Sequence, residues 1–151
     1  MIKSILFLVS LFSTAVFAET EFDSVLIKQG IVDSQYRIVD YKTFDETMRA
    51  ASSNVASMLP SRIDADTTVM SLQLSRFGFY SSYRYDEIET QKDAEYLMHN
   101  FGLAQKYKNY MCSLELSKSE VFKRLNSTIS MSVLNSQHEV IYRTKFKLSD
   151  C

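Results

Sequence analysis

Residues 68–86 read TVMSLQLSRFGFYSSYRYD, and within them apolar side chains begin to alternate with polar ones. From Thr68 to Ser75 every second residue is apolar, which is typical of a β-strand with one buried face. A second alternating run follows Gly78, and glycine suits the turn between two strands. The stretch therefore predicts an antiparallel β-hairpin.

The residues before this hairpin predict a helix. Apolar residues recur at helical spacing from Phe44 to Leu59, and Thr43 with Glu46 matches a capping box at the helix start. Pro60 ends the pattern, because the residue before a proline is displaced from helical backbone angles.

Further helices are predicted after the hairpin. Thr90 opens a helix, and Gly102 predicts a break or kink within it. Ser117 with Glu120 matches a second capping box, at the start of a short helix.

A second alternating region lies between residues 129 and 148, and its last strand is apolar on one side and basic on the other. Together the elements predict an α+β fold, an antiparallel sheet of two hairpins with two or three helices packed on one face. The segment 19–40 is left open, since 24–31 fits either a short helix or a strand.

The first eighteen residues predict a cleavable signal peptide. Lys3 supplies a positive charge, residues 5–12 are apolar, and Val16-Phe17-Ala18 places small residues at the cleavage positions. An N-terminal membrane anchor is the alternative, but the apolar stretch is shorter than the roughly 20 residues that a spanning helix needs. We therefore expect one domain, 19–151, without a membrane span or lipid anchor, in the periplasm or secreted.

The chain has two cysteines, Cys112 and Cys151. In an exported protein such a pair predicts one disulfide bond. The two lie too far apart in sequence for a Cys-X-X-Cys redox motif, and zinc would need further ligands.

Charge and motifs exclude several classes of function. The net charge is −1 with basic and acidic residues interspersed, and no basic stripe is visible that would indicate nucleic acid. No nucleophile elbow, phosphate loop or zinc-protease motif occurs. We therefore expect neither an enzyme nor a cofactor or metal site.

Several polar residues are candidates for a catalytic or metal site. His99 and His138 are interpreted as surface or boundary histidines. The carboxylates Asp86, Glu87 and Glu89, and the pair Asp64 and Asp66, are interpreted as turns at strand ends rather than as catalytic or calcium groups.

The aromatic run of the first hairpin is the strongest candidate for a binding surface. If helices cover one face of the sheet, the other face presents Tyr80 and Arg84 to a partner. The alternative is that these aromatic residues only fill the core and decorate a hairpin.

The sequence resembles a group of small exported bacterial proteins without an assigned function. The resemblance is carried by Asn54, Leu59-Pro60, Asp64, Thr67, Tyr83-Arg84-Tyr85, Cys112 and Asp150-Cys151. It departs from the group at Asn126 and Asn135-Ser136, where the group has glycines. It implies the same fold and disulfide and assigns no active site.

Two functions remain as hypotheses. The first is a periplasmic protein-binding module that inhibits an exported toxin or hydrolase, as an immunity protein does. The second is an accessory or assembly factor of an envelope secretion or pilus system. Both require another protein as partner.

Overall fold

The computed structural model describes residues 20–151, and the predicted signal peptide, 1–18, lies outside them. Five α-helices and five strands occur in the described part. The helices are α1 (Glu21–Lys28), α2 (Tyr41–Ala56), α3 (Gln91–Asn100), α4 (Leu103–Ser113) and α5 (Glu120–Arg124). The strands are β1 (Ser61–Arg62), β2 (Thr67–Ser75), β3 (Gly78–Tyr85), β4 (Thr128–Leu134) and β5 (Val140–Lys147).

The strands form one sheet in the order β1-β2-β3-β4-β5. Both predicted hairpins, β2–β3 and β4–β5, are present and antiparallel. The two hairpins meet through β3 and β4, which run parallel, with Tyr80 opposite Ser130.

The sheet is therefore mixed, and the prediction of a purely antiparallel sheet is wrong. The segment between β3 and β4 contains α3, α4 and α5. A crossover of this length carries the chain back to the end of the sheet where β3 began, so that β4 starts in the same direction.

The helices differ from the prediction in number and in where they begin. The uncertain N-terminal segment forms α1. The N-cap of α2 is Asp40, whose carboxylate accepts the Thr43 N–H at 3.0 Å, so Thr43 is not the cap. The N-cap of α5 is Ser119, not Ser117. In both places another polar side chain, Asp40 or Ser119, accepts a hydrogen bond from the free backbone N–H groups and caps the helix.

Two other helix signals are confirmed. The Thr90 hydroxyl accepts the Asp93 N–H at 3.2 Å and caps α3. Gly102, with φ of +63°, separates α3 from α4 at the predicted break. Left-handed backbone angles suit glycine because it has no Cβ.

The helices pack on one face of the sheet, as predicted. The ring of Phe122, fully buried, contacts the rings of Phe22, Phe44 and Phe79, which joins α1, α2 and α5 to β3. A second cluster places Met98 of α3 against Met131 of β4. The larger cluster holds α1, α2 and α5, and the smaller one holds α3.

A buried carboxylate joins the first helix to the last. Asp23 of α1 is fully buried and accepts hydrogen bonds from the Ser119 hydroxyl and from the Glu120 N–H, the latter at 2.8 Å. Asp23 thus binds the first backbone donor of α5, which has no partner within its own helix.

Replacing Asp23 with alanine is expected to lower the free energy of unfolding by about 3 kcal/mol, because the buried Ser119 hydroxyl and the Glu120 N–H lose their acceptor. Ser119→Ala should cost about 1–2 kcal/mol through loss of the cap. Ser117→Ala is the matched control: its hydroxyl is buried without a hydrogen-bond partner among the described residues, so its removal should be nearly neutral. Urea unfolding measures all three, and an equal cost for both serines would contradict the assignment.

Candidate protein-binding surface

One face of the sheet carries no helix of the described part of the chain. We call it the open face. Its side chains are Thr68, Ser71, Gln73 and Ser75 of β2, Tyr80, Ser82 and Arg84 of β3, Thr128, Ser130, Ser132 and Leu134 of β4, and Arg143, Lys145 and Lys147 of β5. They alternate with the residues that face the helices, such as Phe79, Ile129 and Met131.

Tyr80 and Arg84 both lie on the open face, two side-chain positions apart on β3. Tyr80 is 38% exposed and Arg84 is partly exposed. Their placement agrees with the alternation read from the sequence. Whether they bind a partner stays a prediction.

The open face is polar and basic. The row across the middle of the sheet is Gln73, Tyr80, Ser130 and Lys145, and the next row contains Ser71 and Ser82, whose hydroxyl oxygens lie 2.6 Å apart. Arg84, Arg143, Lys145 and Lys147 enter no ion pair with the residues that the structure describes. Although the whole chain is close to neutral, this face has a positive charge.

The two outer edges of the sheet differ. On the β2 side, β1 pairs with Val69 and Thr68. Further along β2, the Ser52 hydroxyl of α2 accepts the Leu74 N–H at 2.8 Å and lies 3.1 Å from the Leu74 carbonyl oxygen. This edge is therefore closed by β1 and α2.

On the other side, the backbone of β5 faces outward at every second residue. The Thr128 N–H donates to Phe77 O at 2.9 Å, so Thr128 of β4 faces β3, and Lys147 is its partner on β5. Residues of an antiparallel strand alternate between bonding the partner strand and facing away. The backbone groups of Lys147, Lys145 and Arg143 consequently face away from β4.

The Lys147 N–H confirms this orientation, since it donates to the carboxylate of Asp150, outside the sheet, at 3.2 Å. The structure shows no such partner, within residues 20–151, for the N–H groups of Arg143 and Lys145. We call the outward backbone of Arg143 and Lys145 the β5 edge.

The three carboxylates considered as catalytic groups do not share one site, and each has a different structural role. Asp86 forms an ion pair with Arg62 at 2.7 Å, and Glu89 accepts hydrogen bonds from the N–H and hydroxyl of Ser136. Glu87 occupies a turn with φ of +68°.

The pair Asp64 and Asp66 forms a turn, as interpreted from the sequence. The Asp66 N–H donates to the Asp64 carboxylate at 2.9 Å, and this hydrogen bond lowers the pKa of Asp64. Within residues 20–151 no group of three or more His, Cys, Asp or Glu side chains is arranged to hold a metal ion.

The two histidines are both exposed. His99 contacts the Tyr142 ring with the ring centres 6.3 Å apart. His138 lies in the turn between β4 and β5, with φ of +64°. Among residues 20–151, neither histidine forms a hydrogen bond or an ion pair with the carboxylates named above.

Cys112 and Cys151 form the predicted disulfide, with their Cα atoms 5.3 Å apart. The bond joins α4 to the last residue, just after Leu148, which is buried and donates its N–H to Ser127 O at 2.8 Å. The disulfide therefore anchors the chain end beside β5.

A tyrosine cluster lies on the helix-facing side of the sheet. The Tyr107 hydroxyl lies 2.8 Å from the Ser81 hydroxyl, and the Tyr107 ring packs edge-on against Tyr83. Burial raises the pKa of Tyr107 and of Tyr85 to about 12, and it also raises the pKa of Tyr83.

This cluster predicts loss of stability in alkali. Unfolded tyrosine ionises near pH 10, and the folded pKa values of Tyr85 and Tyr107 are raised to about 12. The unfolded chain therefore loses these protons first, so their stabilising contribution is complete below pH 10 and is lost as the pH rises toward 12. The melting temperature of the protein should fall over this range. The melting temperature of the Tyr107→Phe variant should fall less steeply, because one of the buried hydroxyls is absent. A flat profile would contradict the assignment.

One exposed aromatic patch, formed by Tyr41, Arg76 and Phe77, was not predicted from the sequence. The Arg76 guanidinium lies 5.2 Å from the Tyr41 ring centre and 4.9 Å from the Phe77 ring centre. Arg76 also forms an ion pair with Asp45, with 3.4 Å between Nη1 and Oδ2. Phe77 is 66% exposed. An aromatic residue in a hairpin turn was the only available signal, since Tyr41 is distant in sequence.

Within the described residues, no helix is both long and apolar enough to cross a membrane. No protein-family model matches the sequence, and no curated protein matches it. The resemblance drawn from the motif residues therefore stays a prediction.

The fold, an α+β sheet with helices on one side, is shared with one solved structure, and two others match it more weakly. A protein of Pseudomonas aeruginosa described as a "putative secreted protein" matches with a TM-score of 0.53 and 8% identity, over 76% of this chain and 98% of that one. A pilotin from the Vibrio vulnificus type 2 secretion system matches with a TM-score of 0.49 and 11% identity, over 74% and 94%. A type II secretion system pilotin from Vibrio cholerae matches with a TM-score of 0.38 and 7% identity, over 74% of this chain and 94% of that one. The first match shows a common fold, and the two Vibrio matches carry no further weight.

Proposed function

We propose that this protein is an exported protein-binding module that acts as an accessory factor of an envelope secretion or pilus system. The observation that carries the proposal is the open face, a broad polar and basic surface that presents Tyr80 and Arg84 and ends at the β5 edge. Tyrosine and arginine are, with tryptophan, the side chains enriched in binding hot spots.

The proposal is one of binding without catalysis. The carboxylates that were considered for catalysis are engaged in turns and surface contacts, as Asp86 is with Arg62. A binding module needs a rigid surface, and the disulfide and the shared core provide one.

Export is supported by the disulfide. Structural disulfides persist in oxidising compartments such as the periplasm and are rare in the cytosol. The bond between Cys112 and Cys151 fits a protein that works outside the cytoplasm.

The accessory role is preferred over the inhibitor role because of the shape of the surface. Inhibitors of the kind that plug an enzyme's cleft do so with a protruding element, whereas the open face is a sheet surface that suits contact along its length. The type of system is the one named for the two Vibrio pilotins, and it enters here as the hypothesis to be tested.

The test is photo-crosslinking in the native host. A photoreactive side chain at Tyr80 is expected to capture one envelope-assembly protein, and Arg84→Glu should reduce the yield at least tenfold. The same side chain at Phe77, which is more exposed but lies in the β2–β3 turn, is the matched control and should not capture that protein. Capture of a soluble toxin or hydrolase would instead support the inhibitor role, and equal capture from both positions would refute the surface.

A further inference from the structure

We infer that the β5 edge binds an extended segment of the partner as a sixth strand, in which acidic and apolar side chains alternate. The inference rests on the proposed function and deepens it by naming the chemistry of the partner. It combines three observations: an unpaired backbone, the charge beside it and the groove beneath it.

The first observation is the difference between the two sheet edges. At the β2 edge, the Ser52 hydroxyl contacts both backbone groups of Leu74. At the β5 edge, the outward N–H groups of Arg143 and Lys145 have no hydrogen-bond partner among residues 20–151. An edge with free donors and acceptors is the surface to which an extended peptide adds by main-chain hydrogen bonds.

The second observation is the charge on the open-face side of this edge. The side chains of Arg143, Lys145 and Lys147 are exposed and project on the same side of β5. A second copy of this edge would place like charges opposite each other and be repelled. An added strand with acidic side chains on that side would instead meet opposite charges.

The third observation is the surface on the helix-facing side. Tyr142 and Phe146 point to this side, and the Lys108 amine lies 5.5 Å from the Phe146 ring centre. A shallow groove of about 450 Å³ lies between α3 and the start of β5, and its lining consists of Gln91, Glu95, Val140, Ile141, Tyr142 and Arg143. Ile141, Tyr142 and Phe146 supply apolar surface on this side, where Lys108 and Glu95 carry opposite charges, whereas the open-face side has three cations. Apolar side chains therefore suit this side and acidic ones the other, so the two sides select an alternating segment.

The probe is a synthetic six-residue peptide in which valine and glutamate alternate, with both ends blocked. Titration followed by nuclear magnetic resonance should show saturable binding and shifts of the Arg143 and Lys145 amides. The control peptide has lysine in place of glutamate and should bind at least tenfold more weakly. Vesicles of anionic phosphatidylglycerol provide a second control and should not compete with the peptide.

Methylation of backbone nitrogens tests strand pairing. One version of the peptide is methylated on its glutamates and another on its valines, because only one set of N–H groups can face β5. Loss of binding for one version, with the other unaffected, supports pairing. Equal binding by both versions would mean that the edge only attracts anions, which overturns the inference.

Protein variants test the same contact from the other side. Lys145→Pro removes the outward N–H as well as the charge, whereas Lys145→Ala removes the charge alone. We expect the proline variant to bind about fivefold more weakly than the alanine variant, because one main-chain hydrogen bond is lost. The double variant Arg143→Glu with Lys145→Glu should reverse the preference and bind the lysine peptide. If the proline variant does not fold, the two methylated peptides still decide whether the segment pairs as a strand, because they leave the charges of both partners unchanged.

Failure of this inference differs from failure of the proposed function. If the valine–glutamate peptide does not bind at millimolar concentration while Tyr80 still captures an envelope protein, the sixth-strand inference is overturned and the proposed function stands. If the peptide binds as described but no envelope protein is captured at Tyr80, the sixth-strand inference stands and the proposed function is overturned.

Discussion

Replacing Cys112 with serine is expected to lower the free energy of unfolding by about 4 kcal/mol. The disulfide joins residues 39 positions apart, and a loop of this length removes that much chain entropy from the unfolded state. The loss should also release the last turn, Leu148–Asp150, where Asp150 caps the Lys147 N–H of β5. Denaturant unfolding with and without reductant measures the effect.

The matched comparison is the double variant Cys112→Ser with Cys151→Ser. It should be as unstable as the reduced wild-type protein and should no longer respond to reductant. If reduction leaves the unfolding midpoint of the wild-type protein unchanged, the disulfide contributes nothing to stability and the prediction is wrong.

Gly78→Ala is expected to destabilise the protein by about 4 kcal/mol or more. A Cβ at this position would lie 1.8 Å from the carbonyl oxygen of Thr128, and the backbone φ is +149°. The clash is with backbone atoms of the neighbouring strand, so no side-chain rotation relieves it, and the backbone conformation itself disfavours residues with a Cβ.

Gly102→Ala is the control for Gly78→Ala. Gly102 also has a positive φ, +63°, but nothing lies within 4 Å of the added Cβ. The Gly102→Ala substitution should therefore lower the free energy of unfolding by only about 1 kcal/mol, because of the backbone strain alone. Thermal unfolding of both variants measures the difference. Equal costs would show that the close approach of β3 to β4 is not what requires glycine at position 78.

Much of the fold could be predicted because its signals are local. The alternation around Gly78 predicted β2 and β3, and the helix stripe after residue 43 predicted α2. The starts of α2 and α5 were misplaced because several polar residues compete for the same backbone donors. Asp40 and Ser119 are the caps, a choice that depends on the backbone angles before the helix.

The candidate surface was predictable only in part. Strand alternation placed Tyr80 and Arg84 on one face and made β5 basic on one side. The closing of the β2 edge by Ser52, and the sandwiching of Arg76 between Tyr41 and Phe77, involve elements distant in sequence. Alternation within one strand contains no information on such contacts.

By itself the sequence determined the hairpin at residues 68–86, the second hairpin, the break at Gly102 and the presence of one cysteine pair, because each depends on neighbouring residues or on a simple count. The parallel junction of the hairpins, and the position of β5 as an edge without a partner strand among residues 20–151, followed only from the tertiary contacts. Strand order and direction depend on how the helical crossover packs over the sheet, and that packing is a balance of long-range contacts. The hairpin read first thus contributes β3, against whose first residue, Gly78, the second hairpin docks.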